Sequence, residues 1–448
     1  MSSSSDHITG TVSDDVVELC SQLIAIDTSN YGRVGSRGER VAADHIDALL
    51  RACGYEPTLL ESEPTRANLV LRIAGADPDL PALLVHGHLD VVPAAEEQWT
   101  VPPFAGVVQD GYLWGRGATD MKDMVAMMLA VLVRWSRNGV RPRRDVVFAF
   151  VADEEEDGAL GAEWLVRHHP SLFARVEAAI GEAGGRAVPV SAPDGREVCF
   201  YPVAIAERGS HHLRLRATGT AGHGSRPNSD NPVDRLVRAL TRVSEHRWPL
   251  HLTTAPHALL TVASRELGLD VDPDDEASIE RLLPELGELR DYVEASLRCS
   301  TNLTVLEAGY KCNVVPSEAF AEIDVRSLPG TTDDLLAEID ELLGPGITRS
   351  FISDRPALET TDDSEWFRAL AAAIRRAAPD AVVVPFCMGG GTDAKPFAEL
   401  GIAGYGFAPL GRDPEGRVGQ GMHGVDERVP VASLHAGLEI LADFLQSV

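Results

Sequence analysis

Val146-Val147-Phe148-Ala149-Phe150-Val151-Ala152-Asp153-Glu154-Glu155-Glu156-Asp157-Gly158 decides the fold. An unbroken apolar run bounded by charge marks a strand buried on both faces. Such strands belong to α/β sheets with helices on either side. Five consecutive acids end the run. A charge run is ordinarily a solvated face. Here its first members start where a buried strand stops, so they cannot all point into bulk water. Two neighbouring carboxylates in that place can divide labour, one on a metal and one on an attacking water.

Working outward, Asn68 to Ile73, Ala82 to His86 and Ala178 to Gly181 read as further strands, with helical spacing over Asp15 to Ile26, Glu39 to Cys53 and Met121 to Trp135. The texture changes near residue 207. Ser210 to Ala217 alternates, with His211, Leu213, Leu215 and Ala217 on one face, as a half-exposed strand does. A helix over Pro232 to Glu245, an acidic helical stretch over Asp272 to Leu297 and strands over Thr301 to Glu307 and Glu318 to Ser327 follow. The expected fold class is therefore α/β: a discontinuous catalytic domain with a mostly parallel central sheet, plus an inserted α+β domain. The expected boundaries are 1–206, 207–328 and 329–448.

A chain of 448 residues is too long for one ordinary core, which favours two domains. The formal charge of -28 argues against nucleic acid or an anionic membrane as partner. The opening MSSSSDHITG lacks a charged-then-apolar signal pattern, and the longest apolar run, Met124 to Val133, is too short to span a bilayer. Six cysteines without C-x-x-C spacing fit a reduced, cytoplasmic setting.

Four other stretches carry candidate chemistry. His88 and Asp90 lie at the end of a strand, where open α/β folds place their sites. The imidazole is a common metal ligand, and a carboxylate two residues on can accept its second ring N–H. The same pattern also describes a turn histidine beside a solvated acid. Asp120 closes the Gly-rich loop Gly115 to Thr119, either as a bridging carboxylate or as a helix N-cap. Glu182 ends the strand Ala178 to Gly181, and His423 stands in Gly421 to Glu427. Imidazoles and carboxylates without thiolates suit Zn²⁺, and also Co²⁺ or Mn²⁺.

Taken together, these stretches resemble the co-catalytic zinc family of aminoacylase, carboxypeptidase G, acetylornithine deacetylase and succinyl-diaminopimelate desuccinylase. The resemblance runs from about residue 15 to the end of the chain. It implies that His88 and Glu182 hold a first metal, that Glu155 and His423 hold a second, and that Asp120 bridges them. It further implies that Asp90 orients His88 and that Glu154 is the general base. Glu155 and Glu156 are the alternative register for the acidic pair. Gly219 to Ser225 resembles the family's lid segment, whose histidine, here His223, reaches a neighbouring subunit and stabilises the oxyanion. Asn313, Arg326 and the loop Gly390, Gly391 and Thr392 resemble its grip on a substrate carboxylate. That loop lacks the Lys-Ser/Thr of a phosphate loop, which excludes nucleotide binding.

The implied function is hydrolysis of an amide bond, in a dipeptide, a C-terminal peptide or an N-acyl amino acid, by a hydroxide between two divalent ions. The substrate would be a small molecule or short peptide with a free carboxylate. The resemblance implies that the inserted α+β domain is a lid and dimerisation domain, and the implied assembly is a homodimer through the lid. The alternative is a strict deacylase of one N-acyl metabolite; the remaining reading is a catalytically silent binding module.

Overall fold

The computed structural model describes residues 13–32, 34–415 and 421–448. The polar N-terminal stretch read above lies outside them. A ten-stranded sheet forms the body of the molecule. Its central strands are Val146–Val151, Ala82–His88, Val176–Gly181 and Ala403–Gly406, side by side and parallel. Antiparallel pairs close both margins: Thr58–Glu63 with Arg66–Ile73 at one, and Glu197–Glu207 with its shorter antiparallel partners at the other.

The strand Val146–Val151 is buried on both faces. Val146, Phe148 and Phe150 pack into one core with the helices Val16–Ile24, Lys122–Asn138 and Val431–Ser447. Val147, Ala149 and Val151 pack into another with Leu165 of the helix Ala162–His168. Lys122 is buried in the first layer, and its ammonium donates to the carbonyls of Leu23 and Ile26 at 3.0 and 2.8 Å. Carbonyls at the end of the first helix are thereby capped.

A second, antiparallel sheet runs in the order Ser300–Ala308, Glu318–Ser327, Gly209–Thr218, Ile347–Arg355. Leu213 pairs with Ile323 and Leu215 with Ala321, and these residues lie under the helices Pro232–Glu245 and Thr332–Leu343. The alternation expected over Ser210 to Ala217 is observed.

Two expected boundaries are corrected. Thr332–Leu343 and Ile347–Arg355 belong to the smaller unit, so the chain returns to the large sheet only at Leu358–Glu359 and not at 329. The reason is pairing: Ile347–Arg355 completes the exposed side of Gly209–Thr218. Conversely, 254–297 lies within the expected insert but packs on the large sheet. Leu259, Leu286, Leu289 and Val293 join Val188, Phe200, Val384 and Phe386 in one core. The acidic stretch is also not one helix. Glu276–Leu282 is α-helical, and the 3-10 turns Leu283–Tyr292 and Glu294–Ser296 follow. Pro284 and Gly287, the latter at φ +53°, interrupt continuous helix.

Candidate metal centre

The carboxyl ends of three adjacent parallel strands bring the first side chains together. His88 ends Ala82–His88, Glu154 and Glu155 follow Val146–Val151, and Glu182 follows Val176–Gly181. Gly181 allows the middle contact. A Cβ there would lie 2.2 Å from the buried His86 ring. Burial holds the His86 imidazole neutral, with its pKa pushed down to about 3 and the neighbouring His88 adding to the effect. Asp120 enters from the Gly-rich loop before Lys122–Asn138, and His423 from the loop before Arg428–Pro430.

His88 Nε2 lies 3.1 Å from Asp120 Oδ1 and 3.3 Å from Glu182 Oε2. His423 Nε2 lies 3.1 Å from both Asp120 Oδ2 and Glu155 Oε2. Asp120 thus shows one oxygen to each imidazole. Glu154 sits within 4.8 Å of the donor atoms of His88 and Glu182, and among the described residues it pairs with neither imidazole. Glu156 and Asp157 are exposed, whereas Glu154 and Glu155 lie among the clustered donor atoms. Asp153, Ala183 and His423, all bordering this cluster, have positive φ of 70°, 66° and 58°. Non-glycine residues hold that conformation only where their surroundings over-determine it, and such positions gather at functional sites.

Asp90 differs from expectation. The Nδ1 of His88 lies 2.9 Å from the backbone carbonyl of Asp90, whereas the Asp90 carboxylate is 3.7 Å away. That carboxylate instead accepts the N–H groups of Glu154 (3.2 Å) and Glu155 (3.1 Å) and the amide of Asn30 (2.8 Å). It orients the acidic pair, and the tautomer of His88 is set by the main chain. Asn30 also reaches Asp153 (3.2 Å), which is held by the buried Arg66 at 2.6 Å. Sequence reasoning missed Asn30 and Arg66, because neither lies near a motif.

Glu427 is a second omission, although it closes the Gly421 to Glu427 stretch. Fully buried, its carboxylate accepts from Arg116 (2.7 Å), Gly117 N–H (3.0 Å), Thr119 N–H (2.8 Å) and the Thr119 hydroxyl (3.0 Å). It therefore ties the Asp120 loop to the His423 loop. Glu427→Gln is expected to weaken metal affinity about 10–100-fold, the scale for groups that orient ligands. A metal titration checks this; parental affinity would remove Glu427 from the positioning network.

The charge balance fits cations. Burial, reinforced by Asp120 and Glu155 against the pull of His88, raises the Glu182 carboxyl to about 7. Burial and Glu182 likewise push Glu154 well above the ordinary range. Asp393 is buried and pushed up the same way, and its Oδ2 has no hydrogen-bond partner among the described residues. A buried crowd of carboxylates with two imidazoles suits divalent ions, which would offset that cost.

The comparisons agree with this geometry. Residues 84–447 match the model of Peptidase family M20/M25/M40. The chain belongs to peptidase family M20/M25/M40. A probable carboxypeptidase S-like 2 of Dictyostelium discoideum is 30% identical, across 81% of this chain and 71% of that protein. Aminoacylase-1 of Sus scrofa is 28% identical, across 91% and 89%. An M20 family metallo-carboxypeptidase of Sulfolobus solfataricus shares the fold at a TM-score of 0.69 and 16% identity, covering 97% of this chain and 99% of that one.

In this M20 chain the remaining expected residues, Gly390 apart, lie away from the cavity beside Asp120 and Glu182. His223 is exposed on a two-stranded ribbon, paired with Val314, and its Nδ1 is 2.9 Å from the Ser225 hydroxyl. Asn313 is its neighbour, accepting the Gly224 N–H at 2.9 Å. Neither lines the cavity beside Asp120 and Glu182. Arg326 does lie opposite the apolar face of its strand, but its guanidinium is spent on Asp324 at 2.7 and 3.0 Å. Gly390 lines the cavity, while Gly391 faces the stem of Lys395 instead. Thr392 is corrected outright. Its N–H and hydroxyl are both taken by the buried Glu207, at 3.0 and 2.5 Å, leaving no donor for a substrate carboxylate. A buried carboxylate needs those donors.

Proposed function

We propose that this M20 chain hydrolyses an amide bond in a small N-acyl amino acid or short peptide carrying a free carboxylate. The observation that carries the reading is Asp120 shared between two imidazoles, each with its own further carboxylate, beside the uncommitted Glu154. His88, Asp120 and Glu182 would hold one divalent ion, and Asp120, Glu155 and His423 a second, zinc being the best match to the donor set. Such ions polarise an amide carbonyl and acidify water at neutral pH. Glu154 takes the proton of the attacking water and returns it to the leaving nitrogen. The main chain of Gly390 and the Arg326 guanidinium, exchanging Asp324 for substrate, hold the carboxylate. The scattered free cysteines favour a cytoplasmic enzyme.

The test is a panel of N-acyl amino acids, dipeptides, acetylornithine and succinyl-diaminopimelate, assayed after loading with Zn²⁺, Co²⁺ or Mn²⁺. Turnover of several members supports a broad hydrolase, and turnover of one alone a strict deacylase. No turnover at full metal occupancy would overturn both.

His223 and Asn313 would serve a metal centre from a second copy of the chain. The edge strand Ser300–Ala308 offers the contact: Leu303, Val305 and Leu306 are exposed, Leu306 to 59%, beside unpaired backbone groups. The expected mass in solution is that of a dimer. Leu306→Arg is expected to yield monomer and to lower kcat at unchanged metal content. A fully active monomeric variant would exclude the cross-chain histidine.

A further inference from the structure

The segment 283–297, which the pattern of the sequence assigned to the smaller unit, forms one wall of a cavity of about 370 Å³. Asp120 and Glu182 line one end. The volume falls among small-molecule sites, about 300–1,000 Å³. Its apolar wall is Val188, Tyr292, Phe386, Met388 and Ala408. The Tyr292 ring stands edge-on to Phe386, with centroids 5.0 Å apart and planes at 83°. It is carried by a turn whose Leu289 and Val293 are fully buried against the large sheet. The wall is therefore built into the core and is not a loose flap.

Charge decides which part of a substrate enters. Apart from the metal-holding Asp120 and Glu182, the acids Glu288 and Asp291 line this cavity, against Arg186 alone. One Arg186 nitrogen is already committed to the Thr119 carbonyl at 2.6 Å. A substrate carboxylate is disfavoured beside Glu288 and Asp291. The cations Arg208, Arg326 and Lys395 gather instead beyond the Gly-rich loop, where Lys395 packs under Gly391 and donates to the Arg208 carbonyl at 2.5 Å. None of the three lines the cavity. The two halves of an N-acyl amino acid are thus separated by charge across the metal centre.

We propose that the cavity beside Asp120 and Glu182 is an acyl pocket for an extended apolar chain, with Tyr292 setting its depth. The proposal rests on the amide-hydrolase reading above. Each methylene buried in such a pocket favours the transition state about four-fold until the space is filled.

The test uses the full-length, metal-loaded protein with N-acetyl, N-hexanoyl and N-decanoyl derivatives of one amino acid, metal content being measured in parallel. The ratio of kcat/KM for hexanoyl over acetyl is expected to exceed ten. Tyr292→Ala is expected to raise the decanoyl-to-hexanoyl ratio several-fold, and Tyr292→Phe to leave it near the parent's. Val188→Phe fills the pocket from the same apolar wall and is expected to lower the hexanoyl-to-acetyl ratio. It decides the matter should Tyr292→Ala fail to fold. A flat chain-length profile, or profiles that neither variant moves, overturns the acyl pocket and leaves amide hydrolysis standing. Failure of every amide at full metal loading overturns the underlying reading instead.

Discussion

Glu154→Gln is expected to lower kcat by about 10²–10⁴-fold while both metal ions stay bound. The replacement keeps the size of the side chain. It also keeps the backbone N–H that donates to Asp90 at 3.2 Å, so the turn after Val146–Val151 should persist. What is lost is the ability to take a proton from water and return it to the leaving amine. KM should change little, because the interaction removed is made chiefly in the transition state. Steady-state kinetics with metal analysis on the same preparation checks this. The second measurement matters because Glu154 lies within 4.8 Å of the donors of His88 and Glu182. Were metal lost in proportion to activity, Glu154 would be a ligand. Were activity near parental, it would not be the base.

Asp120→Ala is expected to remove both ions together. Its two oxygens each lie 3.1 Å from a different imidazole, and among the described residues no other carboxylate pairs with both. Burial would raise its pKa, but His423 and His88 override that and hold it well below the usual carboxylate range. Affinity should fall by at least about 100-fold, beyond the usual cost of a group one layer out. Activity should fall with it and return only partly at high metal concentration. Glu182→Ala should release a single ion. Retention of one tight ion in Asp120→Ala would show that Asp120 serves one half alone.

Much of this was legible in the chain. The run from Val146 to Ala152 reports a strand covered on both sides, because a residue there meets apolar atoms on either face whatever helices supply them. His88, Glu154, Glu155 and Glu182 could be singled out because parallel strands deliver their carboxyl ends to one edge, whereas Asp120, on the loop before Lys122–Asn138, was marked by the resemblance. The alternation over Gly209–Thr218 was legible for the same local reason. Glu197–Glu207, an eleven-residue strand of the large sheet, was overlooked. Its run is broken by Pro202 and lies at the expected domain boundary.

The tertiary structure decided the rest. Periodicity says that a face is buried and not against what. Hence 254–297 was placed with the smaller unit, although its leucines close the core beside Phe386. Motif likeness marks Thr392 as a donor to substrate, yet Glu207, distant in sequence, consumes both its donors. Asp90 was expected to orient His88, but its carboxylate holds the Glu154 and Glu155 backbone. The amino-acid sequence by itself determined which side chains stand at strand ends, since strand formation and burial leave a local pattern. Only tertiary packing determined what each buried polar group does there, because its partner is chosen among residues far along the chain by the requirement that no buried charge or donor be left unpaired.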